Sequence, residues 1–125
     1  MVLAGDESLI KTEHRLEQWG FWQNNLGGAF PRRSGGGGGK TIYNLSDPAW
    51  MIEEVERLVL RLVQSDRRLW ADLLKLTYIQ QWNHSQIALR LKVDRKFVGA
   101  QLAFAVVWVD GQLNPVLEKR FASGA

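Results

Sequence analysis

The stretch WNHSQIALRLKVDRKFVGAQLAFA, residues 82–105, constrains the fold more than any other part of the chain. It predicts two short helices separated by a tight turn. Asn83 is placed to cap the first helix, and Gln86, three residues on, completes a capping box that satisfies two backbone donors. Ile87, Ala88 and Leu91 then share one face at helical spacing, with Arg90 pointing elsewhere. Lys92 and Val93 make the turn, and Val93 is expected to plug the angle between the helices. Asp94 caps the second helix, where its charge suits the positive end of the helix dipole. Val98 and Leu102 turn inward, leaving Arg95, Lys96, Gly99 and Gln101 on the outward side.

A helix, a turn and a second helix with a basic, uncrowded start predict a helix-turn-helix, whose second helix enters the major groove of double-stranded DNA. Small residues at Gly99 and Ala100 would let the backbone approach the duplex. Arg90, Lys92, Arg95 and Lys96 stand against a single carboxylate, Asp94, in this segment. The same spacing also occurs in three-helix scaffolds that bind nothing, their charges forming an ordinary solvated face.

Composition narrows the class. A chain of 125 residues suits one domain, or one small domain with an appendage. Six Trp and five Phe supply enough apolar volume for a core. A net charge of +3 permits a nucleic-acid partner without demanding one. The absence of cysteine excludes disulfides and thiolate zinc sites and suits a reducing cytoplasm. The start, MVLAGDESLIKTEH, has no signal-peptide layout, and no apolar run approaches a membrane span. A cytoplasmic protein with no membrane partner is the expectation. His14 and His84 are the two histidines and offer no HxxxH or HExxH spacing, so neither a metal nor another cofactor is expected. No serine or paired acid has an activating context, so an enzyme is not expected either.

In chain order, residues 7–19 predict an amphipathic helix with Leu9, Ile10, Leu16 and Trp19 near one stripe. Gly20 is read as its stop, and His14 as a surface residue. Trp19, Phe21 and Trp22 form an aromatic cluster, either a packing anchor or a hot spot for a protein partner. Residues 23–46 resist helix: Gly, Asn, Pro and Ser dominate, and Gly35–Gly39 is a pentaglycine run. The charges there, Arg32, Arg33 and Lys40, are all positive, as suits a loop following a phosphate backbone or a plain soluble linker. GGGGGKT imitates a phosphate-binding loop. However, Ser34 stands where the first glycine belongs, no hydrophobic strand precedes it and no helix follows.

Asp47 and Pro48 predict the cap and first position of a helix running to about Gln64, with Ile52, Val55, Leu58, Val59 and Leu62 on the core side. Glu53, Glu54 and Glu56 read as a complement to the helix dipole plus ion pairs. A third helix spans Arg67 to about Gln81, its apolar face carrying Leu69, Trp70, Leu73, Leu74, Leu76 and Tyr78. Arg67 and Arg68 at its start are placed to touch DNA phosphates. The last motif helix is expected to end near Val109, broken by Asp110–Gly111. Residues 112–125, with Pro115, predict a short final helix or a frayed end. The fold class is all-α in three sections: an aromatic helix in 1–22, a Gly- and Arg-rich loop in 23–46, and a helical body in 47–125 containing the motif at 83–105.

The order of these parts resembles the phage Q antitermination proteins, the phage 21 Q group, and their bacterial chromosomal relatives. The likeness covers most of residues 12–111. It rests on RLEQWGFW with its Glu17–Trp19–Gly20 element, the Gly-rich basic loop, and DLLKLTYIQQWNHSQIALRLKVDRKFVGAQLAFA. In the last of these, Phe97–Val98–Gly99, Leu102 and Ala105 lie on the second motif helix. The resemblance implies a domain similar to sigma-factor region four. It further implies a factor that binds a promoter-proximal DNA element and loads onto paused bacterial RNA polymerase holding its sigma factor. Such a factor then acts at the RNA exit channel to suppress pausing and termination. Carried onto this chain, DNA reading falls to Arg95, Lys96, Gly99 and Gln101, beside Ala100, with Arg90 and Lys92 on phosphates. Trp19, Phe21, Trp22, Arg32, Arg33 and Lys40 become the residues for polymerase and nascent RNA. The chain departs from the pattern at Ala100 and Gln101, where basic residues are frequent, and at Lys92, where glycine is usual and a left-handed backbone is strained for any other residue. A conventional helix-turn-helix repressor or activator is the alternative that the same motif allows.

Overall fold

The computed structural model describes residues 4–27, 29–31 and 47–123, and the described residues are all-helical, with no strand among them. Five α-helices follow one another: α1 (Ala4–Asn25), α2 (Ala49–Val63), α3 (Arg68–Leu74), α4 (His84–Leu91) and α5 (Arg95–Ser123). A π-helical turn, Lys75–Ile79, extends α3. The long α5 packs against each of the other helices, and α1 crosses the π turn, α2 and α5. No helix among the described residues is long and apolar enough to cross a membrane.

The α2 helix forms where its spacing places it, burying Met51, Ile52, Val55, Leu58, Val59 and Leu62 on one side. Its start is one residue off the expected register. Pro48 is the cap, its carbonyl accepting from Met51 N–H at 3.0 Å, and Asp47 instead donates its N–H to Gln18 Oε1 at 2.9 Å. Arg57 pairs with Glu54 at 2.6 Å. Glu56, expected to serve the helix dipole, is half-buried and binds the far end of α1. It accepts from Trp19 Nε1 at 3.1 Å, from Gln23 Nε2, and from the Ala29 N–H at 3.1 Å.

Helix α1 departs most from expectation. It runs through Gly20 to Asn25, and Gly27, at φ 98°, is the glycine that follows its end. Gly20 is instead a point of close approach: a Cβ built there would lie 1.9 Å from the Tyr78 carbonyl oxygen. One turn later, Asn24 donates to the Ile79 carbonyl at 2.9 Å. The two residues therefore seat α1 directly on the backbone of the π turn, whose own wide closure is the Gln80 N–H to Lys75 carbonyl bond of 3.1 Å. The expected apolar stripe is mixed in fact. Leu16 and Trp19 are fully buried, Ile10 faces solvent, and Thr12, Gln18, Gln23 and Asn24 are buried. Each of these polar side chains has a hydrogen-bond partner, as burial requires.

The expected break at Asp110–Gly111 does not occur either, because α5 continues through both and through Pro115. Asp110 is held from across the interface: Ser8 and Thr12 donate to its Oδ1 at 2.6 and 2.7 Å, and Asn114 to its Oδ2 at 3.2 Å. A carboxylate satisfied this way does not compete for its own backbone, which is the usual reason Asp ends a helix. Pro115 has Gly111 four residues before it, at the position whose carbonyl its ring crowds.

The two helical glycines are thus expected to behave oppositely. Gly20→Ala, forced against the Tyr78 carbonyl, should destabilise the fold by about 2–3 kcal/mol. Gly111→Ala, with open space around the new methyl, should stabilise it by about 0.5–1 kcal/mol. Urea unfolding followed by circular dichroism measures both.

Candidate nucleic-acid interface

The junction between α4 and α5 is built largely from local interactions. Asn83 Oδ1 accepts the Gln86 N–H and Gln86 Oε1 accepts the Asn83 N–H, both at 2.8 Å, which closes the expected capping box. At the other end of α4, Lys92 takes the left-handed conformation at φ 60°, and the Val93 N–H returns to the Ala88 carbonyl at 3.0 Å. Asp94 Oδ1 then accepts the Lys96 N–H at 2.9 Å, capping the first turn of α5. Ile87, Ala88, Val98 and Leu102 are buried and fix the angle between the two helices. Val93 is not the plug expected of it: it stands 38% exposed at the tip of the turn.

Arg90, Lys92, Arg95 and Lys96 all reach solvent around this turn. Of the remaining residues expected on the outward face, Ala100 is exposed, whereas two are turned elsewhere. Gly99 faces α4, with His84 Nδ1 3.5 Å from a Cβ built on it. Gln101 is half-buried, its Oε1 accepting the Trp70 indole N–H at 2.9 Å. Both corrections have one cause: α4 and α3 flank α5 closely on either side of its outward stripe. The Trp70–Gln101 bond ties the start of α3 to α5; Arg67 stacks over the Trp70 ring at 4.9 Å, and Arg68 next to it is exposed.

The outward stripe of α5 beyond its first turn is apolar. Phe97, Phe104 and Val107 are exposed by 43%, 55% and 51%, with Ala100 between them, and Leu89 on α4 is 82% exposed. The sequence carried a signal for this. The 97, 100, 104, 107 spacing is a helical stripe distinct from the buried set Val98, Leu102, Ala105, Val106 and Val109. The exposed cations of this region are therefore confined to the end of α4, the turn and the first turn of α5.

The aromatic cluster divides. Trp19 is fully buried, bonded to Glu56 and packed edge-on against Phe30 at 5.9 Å, so it belongs to the core and not to a partner surface. Phe21 and Trp22 are half-buried, Trp22 against the core. Arg32, Arg33 and Lys40, with most of the glycine-rich segment, lie outside the described residues. No group of three or more His, Asp or Glu placed to hold a metal occurs among the described residues. Comparisons with protein-family models, curated proteins and solved structures return no match to this chain.

The left-handed Lys92 is the strained point of the junction. Lys92→Gly should raise the unfolding free energy by about 1 kcal/mol, measured by urea titration, because glycine adopts that conformation without steric cost.

Proposed function

We propose that the chain is a cytoplasmic DNA-binding transcription antitermination factor, with α4, the Lys92–Asp94 turn and α5 acting as a helix-turn-helix. One observation supports this above the others: Arg90, Lys92, Arg95 and Lys96 crowd an exposed junction whose backbone is capped on both sides. Cations fixed in this way suit a phosphate backbone, and the first turn of α5 is where a groove-reading helix makes its base contacts. Arg95 and Lys96 are assigned to base edges or the flanking phosphates, and Arg90 and Lys92 to phosphates. Arg67 and Arg68 are assigned to phosphates further along the duplex. Gln101, committed to Trp70, is given no base-reading role, and Gly99 and Ala100 serve only by being small.

The antitermination half of the proposal rests on the resemblance of the sequence to the phage Q proteins and on the apolar stripe of α5. A duplex-only regulator has little use for exposed Phe97 and Phe104, whereas a factor that stays with polymerase needs a protein-facing surface. Bacterial RNA polymerase with its sigma factor is the proposed partner, with nascent RNA as a further contact.

Reconstituted transcription with purified polymerase, sigma factor and the cognate promoter template tests the whole reading. Terminator readthrough that depends on the promoter-proximal element is expected. A protein that binds the element and changes initiation alone is a conventional repressor or activator. Arg95→Ala and Lys96→Ala should each weaken specific duplex binding by about 1–3 kcal/mol, and Gln101→Ala by less than about 0.5 kcal/mol, in fluorescence anisotropy titrations.

A further inference from the structure

A second feature of opposite character lies away from the α4–α5 turn. A cleft of about 470 Å³ opens between α1, the π turn, the start of α4 and the middle of α5. Its walls are aliphatic, with Leu9 from α1 and Leu102, Val106 and Val107 from α5. Its rim is anionic: Glu13 and Glu17, one turn apart on α1, are exposed and line it. Arg57–Glu54 and Lys75–Asp72 are the ion pairs among the described residues, so neither rim carboxylate has a cationic partner there. Tyr78 also lines the cleft. Burial, and after it the charges of Glu13 and Glu17, push its hydroxyl above the ordinary tyrosine range. The neighbouring Thr77 contributes a buried hydroxyl that has no hydrogen-bond partner among the described residues, although buried hydroxyls are normally bonded. Apolar surface continues on either side. Ile10, one turn before Glu13, is 68% exposed, and Val107 and Phe104 are 51% and 55% exposed.

An aliphatic trough with two exposed carboxylates at its mouth matches a long cationic side chain. The methylene stem lies along Leu9, Leu102 and Val106, while the charged head reaches the carboxylates. We infer that this cleft receives an arginine or lysine side chain from a partner protein, carried on a segment whose apolar neighbours cover Ile10, Val107 and Phe104. Charge complementarity selects this occupant over nucleic acid, whose phosphates Glu13 and Glu17 would repel. The apolar flanks select a protein segment over a free cation. This inference does not depend on the duplex reading, since Arg95 and Lys96 take no part in the cleft.

Amide-detected NMR titration of the full chain with the blocked peptide acetyl-Leu-Arg-Leu-amide tests it. Saturable shifts are expected at Thr77, Tyr78, His84, Gly99 and Val107. The same peptide with citrulline, the uncharged isostere of arginine, should bind at least about fivefold more weakly. The double variant Glu13→Gln, Glu17→Gln should lose about fivefold in affinity with an unchanged melting temperature, since both side chains are exposed. Arg95→Ala should bind the peptide as the parent does, which separates failure here from failure of the duplex proposal. Equal binding of the citrulline peptide, shifts confined to other surfaces, no saturation at millimolar peptide, or an unaffected double variant would each overturn the inference. So would through-space contacts from Arg32, Arg33 or Lys40 to the cleft in the free protein, because the chain itself would then be the occupant.

Discussion

The arrangement of the whole molecule depends on two helical backbones meeting without a side chain between them. Gly20 brings α1 against the carbonyl of Tyr78, and Asn24, on the same stripe, bonds the next carbonyl along. This contact holds the π turn in place, and the π turn leads directly into α4, so the position of the cationic junction follows from it. A π turn leaves backbone groups less regularly paired than an α-helix does, and such turns persist where the surroundings supply partners. Here the first helix supplies them. The polar cluster of Ser8, Thr12, Asp110 and Asn114 fixes the other end of α1 to α5, so α1 is oriented at two separated points.

With α1 so fixed, the surface divides by charge and by polarity. The turn between α4 and α5 gathers cations, and the cleft beside α1 gathers carboxylates, while the exposed stripe of α5 between them is neither. A uniformly basic face would attract nucleic acid without preference for orientation. Here Glu13 and Glu17 on α1 make the cleft side of α5 acidic, so the electrostatic potential around the two helices is not uniform. The division also gives α5 two kinds of exposed surface along its length, polar at its first turn and apolar beyond it.

What was legible in the sequence was local. The Asn83–Gln86 box, the Asp94 cap and the buried face of α2 each depend on residues within one or two turns, and each is present; the left-handed Lys92 is what the family resemblance, not the local pattern, implies. The misread features are those decided by distant partners. Gly20 has the look of a stop because the lack of a side chain signals both helix ends and close approaches, and only the Tyr78 carbonyl decides between them. Asp110 has the local pattern of a break, yet Ser8 and Thr12, about a hundred residues earlier, satisfy it. Gln101 belongs on the outward side by spacing alone, because nothing local reveals that Trp70 claims its amide oxygen. Trp19 left two readings open, and its indole N–H bond to Glu56 places it in the core. The π turn at Lys75–Ile79 has no signature in composition at all.

The fastening of the chain on both sides of the glycine-rich segment has a consequence of its own. On one side the N–H groups of Ala29 and Phe30 are bound to Glu56 and Gln23, and on the other the N–H of Asp47 is bound to Gln18. All three anchors belong to α1 or α2, so the intervening residues close between points that the helices already fix. The separation of Phe30 from Asp47 is therefore set by how α1 sits on α2, whatever the residues between them.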